Sequence, residues 1–292
     1  MSTRLPDAAR AWREDGRTID VAGRDVFVHD SGEGPEVTVV IHGFPSCSYD
    51  WVEVVGLLDG RVIALDLPGY GFSDKSPDAS YSLFDQADVV EAVLAELGVE
   101  RCSIVAHDMG DTVTAELACR ANAGELGFAL ERIVLTNGSI FIDMAQLTRG
   151  QRLTLRLPAR RSMFSMPTPL LRRSLLESFT RTAPPPAGAI GGLIALIQYD
   201  GGDRLLPLLI RYIEERRAHQ DRWTAGFVDF AGPLTLVWGT EDPIAVVAMT
   251  ARMAELRPTT SVVLLDGTGH WPSLECPDRL ASEIRTALSP AG

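Results

Sequence analysis

Two segments near the start of the chain, RTIDVAG and DVFVHDSG, alternate apolar and polar residues on either side of Gly23 and Arg24. That pattern predicts an antiparallel pair of strands with one solvated face. Further on, EVTVVIHGF, RVIALDLPGYG, RCSIVAHD and ERIVLTNGS are short, continuously apolar and β-branched, and each ends in Gly, Pro, Asn or Asp. Such runs predict strands buried on both faces. Between them, the stretches around YDWVEVVGLL, LFDQADVVEAVLAELG and MGDTVTAELACRAN have the length of crossover helices, so the sheet should be mostly parallel. The alternation stops at Ile140. Residues 141 to 228 are rich in Leu, Arg and Pro, with helical periodicity and TAPPPAG as a hinge or loop, which predicts an inserted helical cap. The sheet pattern resumes with GPLTLVWGTEDP, AVVAMTARMAEL, TSVVLLDG and SLECPDRLASEIRTAL. The expected architecture is α/β, with a core in residues 1–139 and 231–292 and a cap in residues 140–230. The cap would overhang the carboxyl ends of the strands, where open α/β sheets hold ligands.

The stretch SIVAHDMGDTVTAELA has the form strand, sharp turn, helix. It is the outline of a nucleophile elbow, but Asp108 stands where the G-x-S-x-G form carries serine. An aspartate at a helix N-terminus also serves as an N-cap, so this feature alone admits two readings. GTGHWP places His270 in a loop beyond the last strand, and WGTEDP places Asp242 at the end of the preceding one as the acid that would orient it, with Glu241 as the alternative. The chain order nucleophile, acid, histidine is that of a hydrolytic triad. The turn IHGFP can offer the backbone N–H of Phe44 to an oxyanion, with that of Met109 as partner.

Composition narrows the field of partners. The chain has 292 residues, 46% of them hydrophobic and 23% charged, which suits an ordinary globular protein. A net charge of −12 disfavours nucleic acid and anionic membranes as main partners. Cys47, Cys102, Cys119 and Cys276 form no C-x-x-C pair, no signal peptide precedes them, and no apolar run is long enough to span a bilayer. A cytoplasmic setting is the expectation.

HGFP, DLPGYGFSD, AHDMG, WGTEDP and GHWP together resemble the α/β-hydrolase superfamily over nearly the whole chain. The resemblance implies the α/β-hydrolase fold. An aspartate nucleophile is similar to the epoxide hydrolase and haloalkane dehalogenase branches. AHDMGDTVTAELACR, LTNGSIF and YIEERRAHQDRW resemble the epoxide-hydrolase-like group that includes mesoderm-specific transcript proteins.

The two branches differ in what leaves. A halide needs hydrogen-bond donors, which dehalogenases supply from side chains at positions that resemble Met109 and Phe44 here; neither has one. Asn137 is a further candidate donor. An epoxide oxygen needs a proton, for which a cap tyrosine is suited. Tyr212, in the stretch resembling the epoxide hydrolase cap, is the preferred acid, and the early cap lacks the second tyrosine of that pattern. Tyr199 and His219 are candidates for the second donor, and Trp51 is a candidate pocket residue. The expected activity is conversion of an epoxide to a vicinal diol, with no cofactor and no metal. The expected partners are a small apolar epoxide and water, with a homodimer allowed. Haloalkane dehalogenation and non-catalytic binding of a hydrophobic ligand are the alternatives.

Overall fold

A computed structural model describes residues 5–289. Its centre is a sheet of eight strands in the order β1-β2-β4-β3-β5-β6-β7-β8. These are β1 (Arg17–Val21), β2 (Arg24–Ser31), β3 (Val37–Ile41), β4 (Arg61–Leu65), β5 (Arg101–His107), β6 (Ala129–Thr136), β7 (Leu234–Gly239) and β8 (Ser261–Leu265). β1 and β2 form the antiparallel pair, β2 is also antiparallel to β4, and every pairing beyond that is parallel. Successive side chains of a strand point to opposite faces. Val39 and Ile41 of β3 therefore join one buried cluster with Ile63, Leu65, Ile104 and Leu135, while Val40 joins the other with Val62, Ala64 and Val105.

The α-helices among the described residues are α1 (Asp7–Asp15), α2 (Val52–Val55), α3 (Leu83–Glu96), α4 (Met109–Ala123), α5 (Arg149–Leu155), α6 (Thr168–Leu176), α7 (Ala189–Ile197), α8 (Leu206–Leu209), α9 (Tyr212–Val228), α10 (Ala248–Leu256), α11 (Pro272–Glu275) and α12 (Pro277–Leu288). Helices α5 to α9 fall between β6 and β7. No helix among the described residues is long and apolar enough to cross a membrane. All four cysteines are free.

Three elements differ from the sequence pattern. YDWVEVVGLL forms only a 3-10 turn over Ser48–Trp51 and the four-residue α2, which stops at Gly56. The last helical stretch is split at Cys276, whose φ of −150° and ψ of 59° lie outside the helical region ahead of Pro277, because the proline ring disfavours helical backbone in the residue before it. Helix α1 arises from a stretch that reads as polar. It is secured by Trp12, which stacks on His29 with ring centroids 3.7 Å apart and donates its indole N–H to Ser48 Oγ at 3.2 Å.

The parallel strands share one functional consequence. Phe44, Asp108, Asn137, Asp242 and His270 all lie just beyond the carboxyl ends of β3, β5, β6, β7 and β8, on one edge of the sheet.

Candidate active site

Asp108 sits between β5 and α4 with φ +47° and ψ −108°, a backbone conformation that L residues seldom adopt. Close packing holds it there. A Cβ on Gly110 would stand 2.5 Å from the Ile41 carbonyl oxygen, and one on Gly43 would stand 2.6 Å from the Asp108 Cβ. Only glycine at these two positions lets α4 start against the end of β3.

The Phe44 N–H donates to Asp108 Oδ2 at 3.0 Å, so the turn expected to supply an oxyanion donor does face the carboxylate. Met109 follows as the first residue of α4, and its sulfur accepts the Tyr70 hydroxyl at 3.2 Å. His42 braces the turn as a neutral ring: its Nδ1–H donates to the Gly43 carbonyl and its Nε2 accepts from Leu67 N–H, both at 2.9 Å. Burial depresses its pKa, in keeping with that tautomer.

His270 donates from Nδ1 to Asp242 Oδ2 at 2.8 Å, and both side chains are buried. Asp242 is itself anchored: Oδ1 accepts from the N–H groups of Ile244 and Ala245 at 2.7 and 3.0 Å. Asn137 donates to Asp242 Oδ2 at 2.8 Å and to the Gly269 carbonyl at 3.2 Å, and its Oδ1 accepts from Gly239 N–H at 2.9 Å. Its amide is thus committed to holding the acid and the histidine loop, which leaves it unsuited to the role of substrate donor. Burial alone would depress the His270 pKa. The charge and hydrogen bond of Asp242, with the charges of Asp108 and Glu275, outweigh it and raise the imidazole above its ordinary value of 6.5. Glu241 turns away and accepts from Thr182 Oγ1 at 3.0 Å and from the Thr180 hydroxyl.

Tyr212 is buried, with its ring centroid 5.4 Å from that of Phe44. Burial first, then the Asp108 charge, pushes its hydroxyl pKa well up, and its hydroxyl is hydrogen-bonded with the Gln151 amide. The other three candidates lie elsewhere. Tyr199 packs on Phe72 at 5.0 Å between Arg13 and Lys75, because the chain turns outward after α7. His219 is an exposed residue of α9, further along the helix, whose ring meets Phe84 at 5.0 Å and Trp223 at 5.5 Å. Trp51 is fully buried with Val40 and Val62 on the opposite face of the sheet, since its short helical turn packs under the core.

A cavity of about 310 Å³ lies between the core and helices α5 and α6, lined by Phe44, His270 and Trp271 below and by leucines of the two helices above. Asp108 and Tyr212 do not line it; each meets it through Phe44. A larger depression of about 620 Å³ opens at the amino ends of the strands, around Val37, Arg101 and Arg132, and holds none of these groups.

Several residues of the site carry weak sequence signals. Arg216, in the charged run EERRAHQDR, reads as part of a solvated helix face. It is instead buried: Nη2 donates to the Asp108 carbonyl at 2.6 Å, Nε donates to Thr112 Oγ1 at 2.7 Å, and Nη1 lies 3.6 Å from Asp108 Oδ1. Its guanidinium also lies over the Tyr212 ring, 4.7 Å from the centroid. Asp111, one turn into α4, is fully buried. Burial raises its pKa well above the ordinary carboxylate value despite the pull of Arg216. Gln151 lines the cavity and closes a capping box with Thr148 at the start of α5, a motif visible in TRGQ. His107, its pKa lowered by burial and by His270 to about 4, is bonded through Nε2 to the His270 carbonyl at 2.7 Å and fixes that loop.

Comparisons with known proteins show the family and the fold. The chain is 37% identical over 291 residues to "Putative hydrolase LipZ" of Mycobacterium tuberculosis, covering 96% of this chain and 98% of that one. It is 31% identical to the mesoderm-specific transcript protein of Mus musculus, over 94% of this chain and 85% of the relative. The haloalkane dehalogenase DbeA from Bradyrhizobium elkani shares the fold with a TM-score of 0.76 at 24% identity, over 94% of this chain and 97% of that one. A family model described as "Alpha/beta hydrolase family" matches residues 38–283, and the chain belongs to that family.

Proposed function

We propose that this hydrolase opens epoxides to vicinal diols through an ester on Asp108. The observation that carries the reading is the carboxylate at the elbow, with one oxygen already on the Phe44 N–H, in a site that also holds the paired His270 and Asp242. Attack on an sp³ carbon by serine would leave an ether that water does not cleave, whereas a carboxylate leaves an ester that the same site can hydrolyse. In the first step Asp108 Oδ1 bonds to an epoxide carbon as the ring C–O bond breaks, and the leaving oxygen takes the proton of the Tyr212 hydroxyl. Its raised pKa keeps that hydroxyl protonated at neutral pH. In the second, His270 Nε2 removes a proton from water, which attacks the ester carbonyl. The oxyanion formed at Oδ2 meets the N–H groups of Phe44 and Met109. Collapse frees the diol and restores Asp108, and the proton held by His270 returns to Tyr212 through solvent.

Side-chain donors favour an epoxide over a halide. Phe44 and Met109 have none, Asn137 is committed, and the Trp271 indole N–H donates to Ser178 Oγ at 2.7 Å. The test offers matched epoxides and chloro- or bromoalkanes to the wild type, Asp108→Ala and His270→Gln, scoring diol, halide and protein mass. Diol from the wild type alone, with an alkyl adduct accumulating on Asp108 in His270→Gln, is the expected result. Halide release would move the protein to dehalogenation, and tight binding without turnover would favour a ligand-binding role.

A further inference from the structure

We propose that the outer face of α5, α6 and the segment joining them docks on an anionic lipid bilayer, with the mouth of the cavity turned toward the lipid. The net charge of −12 describes the whole chain and hides a local reversal. Residues 149–181 contain eight arginines and a single acid, Glu177. Seven of them, Arg149, Arg152, Arg156, Arg160, Arg172, Arg173 and Arg181, are exposed, and none makes an ion pair among the described residues. An arginine face serving only solubility would be expected to have carboxylates interspersed, as Asp7, Asp30 and Glu131 meet arginines elsewhere on this protein.

Apolar groups are interleaved with these charges. Of the ten exposed large hydrophobic residues among those described, six fall between Leu153 and Leu176. Met163 and Phe164, at the tip of the joining segment, are 75% and 77% exposed. Leu153, Leu157 and Leu170 are exposed and also line the cavity, so they mark its mouth. Arg172, Arg173 and Arg181 share one open depression with Leu176 on the adjoining face of α6.

Guanidinium groups at the level of lipid phosphates, with Met, Phe and Leu side chains inserted between headgroups, form the usual chemistry of an interfacial surface. An acidic protein partner would use the arginines but leave Met163 and Phe164 without a stated function. A bilayer uses both, and it also presents apolar molecules directly to an apolar cavity. The surface does not depend on which reaction Asp108 performs.

The test is co-sedimentation of the full chain with vesicles of phosphatidylcholine alone, or with about a third phosphatidylglycerol, over a range of salt. Each arginine brought to an anionic surface strengthens binding about fivefold, so Arg172→Glu with Arg173→Glu should weaken it by about 25-fold or more at low salt. Binding of the wild type should fall as salt rises, and Met163→Ser with Phe164→Ser should weaken it at every salt concentration. Circular dichroism of each variant checks that it is folded. Failure of the wild type to bind anionic vesicles better than neutral ones would overturn the proposal, as would equal binding by the charge-reversed variant. Concentration-dependent self-association without lipid, abolished by the same substitutions, would assign the face to a second copy of the chain and also overturn it.

Discussion

At the scale of single residues, the site is a set of groups whose protonation is fixed by what surrounds them. His107 and His42 are held neutral by burial, while His270, equally buried, is pulled the other way by Asp242. That difference decides the pH profile. His270 takes a proton from water only when neutral, so the ester-hydrolysis rate should fall as pH drops through its pKa. Esterification removes the Asp108 charge, so the acid limb of kcat should reflect the pull of Asp242 against burial and lie below the pKa of the imidazole in the free enzyme. Asp242→Asn removes the charge that raises it. The limb should then move to lower pH while kcat falls by a factor of about 10⁴, the scale seen when an acid of this type is lost from a triad. Stopped-flow decay of the alkyl-enzyme between pH 5 and 9 measures both; a limb unmoved by the substitution would mean that another group titrates.

At the scale of elements, α9 is the helix that ties the segment between β6 and β7 to the Asp108 elbow. It lies along α4, where a Cβ on Gly226 would come 2.6 Å from the Ala115 carbonyl oxygen. Arg222 and Trp223 donate to Glu116 Oε2 at 2.8 and 3.1 Å, and Arg216 reaches past them to the elbow. Arg216 is in this arrangement a positioning residue for Asp108. Replacing it by methionine leaves the Asp108 carbonyl without its Arg216 donor and the buried carboxylate without its ion-pair partner, which should cost about 3–5 kcal/mol of stability. Arg216→Lys keeps the charge but loses the fork that spans Asp108 and Thr112. If the role is positioning, the lysine variant should recover most of the thermal stability yet show a slower alkylation step with KM little changed. Recovery of both together would reduce Arg216 to a structural ion pair. This helix also shows where the sequence stops being informative. The strands were legible because β-branched runs between turn residues have few other uses, and Asp108, Asp242 and His270 because each follows such a run. Arg216 was not, since a charged residue in a charged helix carries no mark of the side it faces. Tyr199, His219 and Trp51 have suitable chemistry, but the packing of their segments turns them away from the cavity. Helix α1 was missed because two buried residues, Ala9 and Trp12, make too thin an apolar stripe to stand out.

At the scale of the whole molecule, the buried ionisable groups set how stability varies with pH. Asp50 is the clearest case. Burial, with the nearby Asp66 charge, raises its pKa to about 8 against one opposing hydrogen bond from Ser46, and its Oδ2 has no partner. Burial raises Asp111 as well. In the unfolded chain both carboxyls release their protons near pH 4, so the native state binds protons that the unfolded state has lost. Stability from these groups is present at low pH and declines as pH rises toward the folded pKa. His270 acts in the same direction: its raised pKa favours the fold below 6.5, and that contribution is lost as pH rises through the folded value. His42 and His107 oppose this trend only below 6.5, where the unfolded chain would protonate them. Between pH 6.5 and 8 these shifted acids and His270 therefore all act with one sign, and the melting temperature should fall. Each group contributes up to ~1.4 kcal/mol per pH unit within its window. Asp50→Asn keeps the size and the bond to Ser46 but has no charge to bury, so its melting temperature should exceed that of the wild type by an amount that grows from pH 5 to pH 8. At about 2–4 °C per kcal/mol for a chain of this size, differential scanning calorimetry resolves that divergence. Parallel curves for the two proteins would show that Asp50 is ionised in the native state, with its charge met by a group other than Ser46.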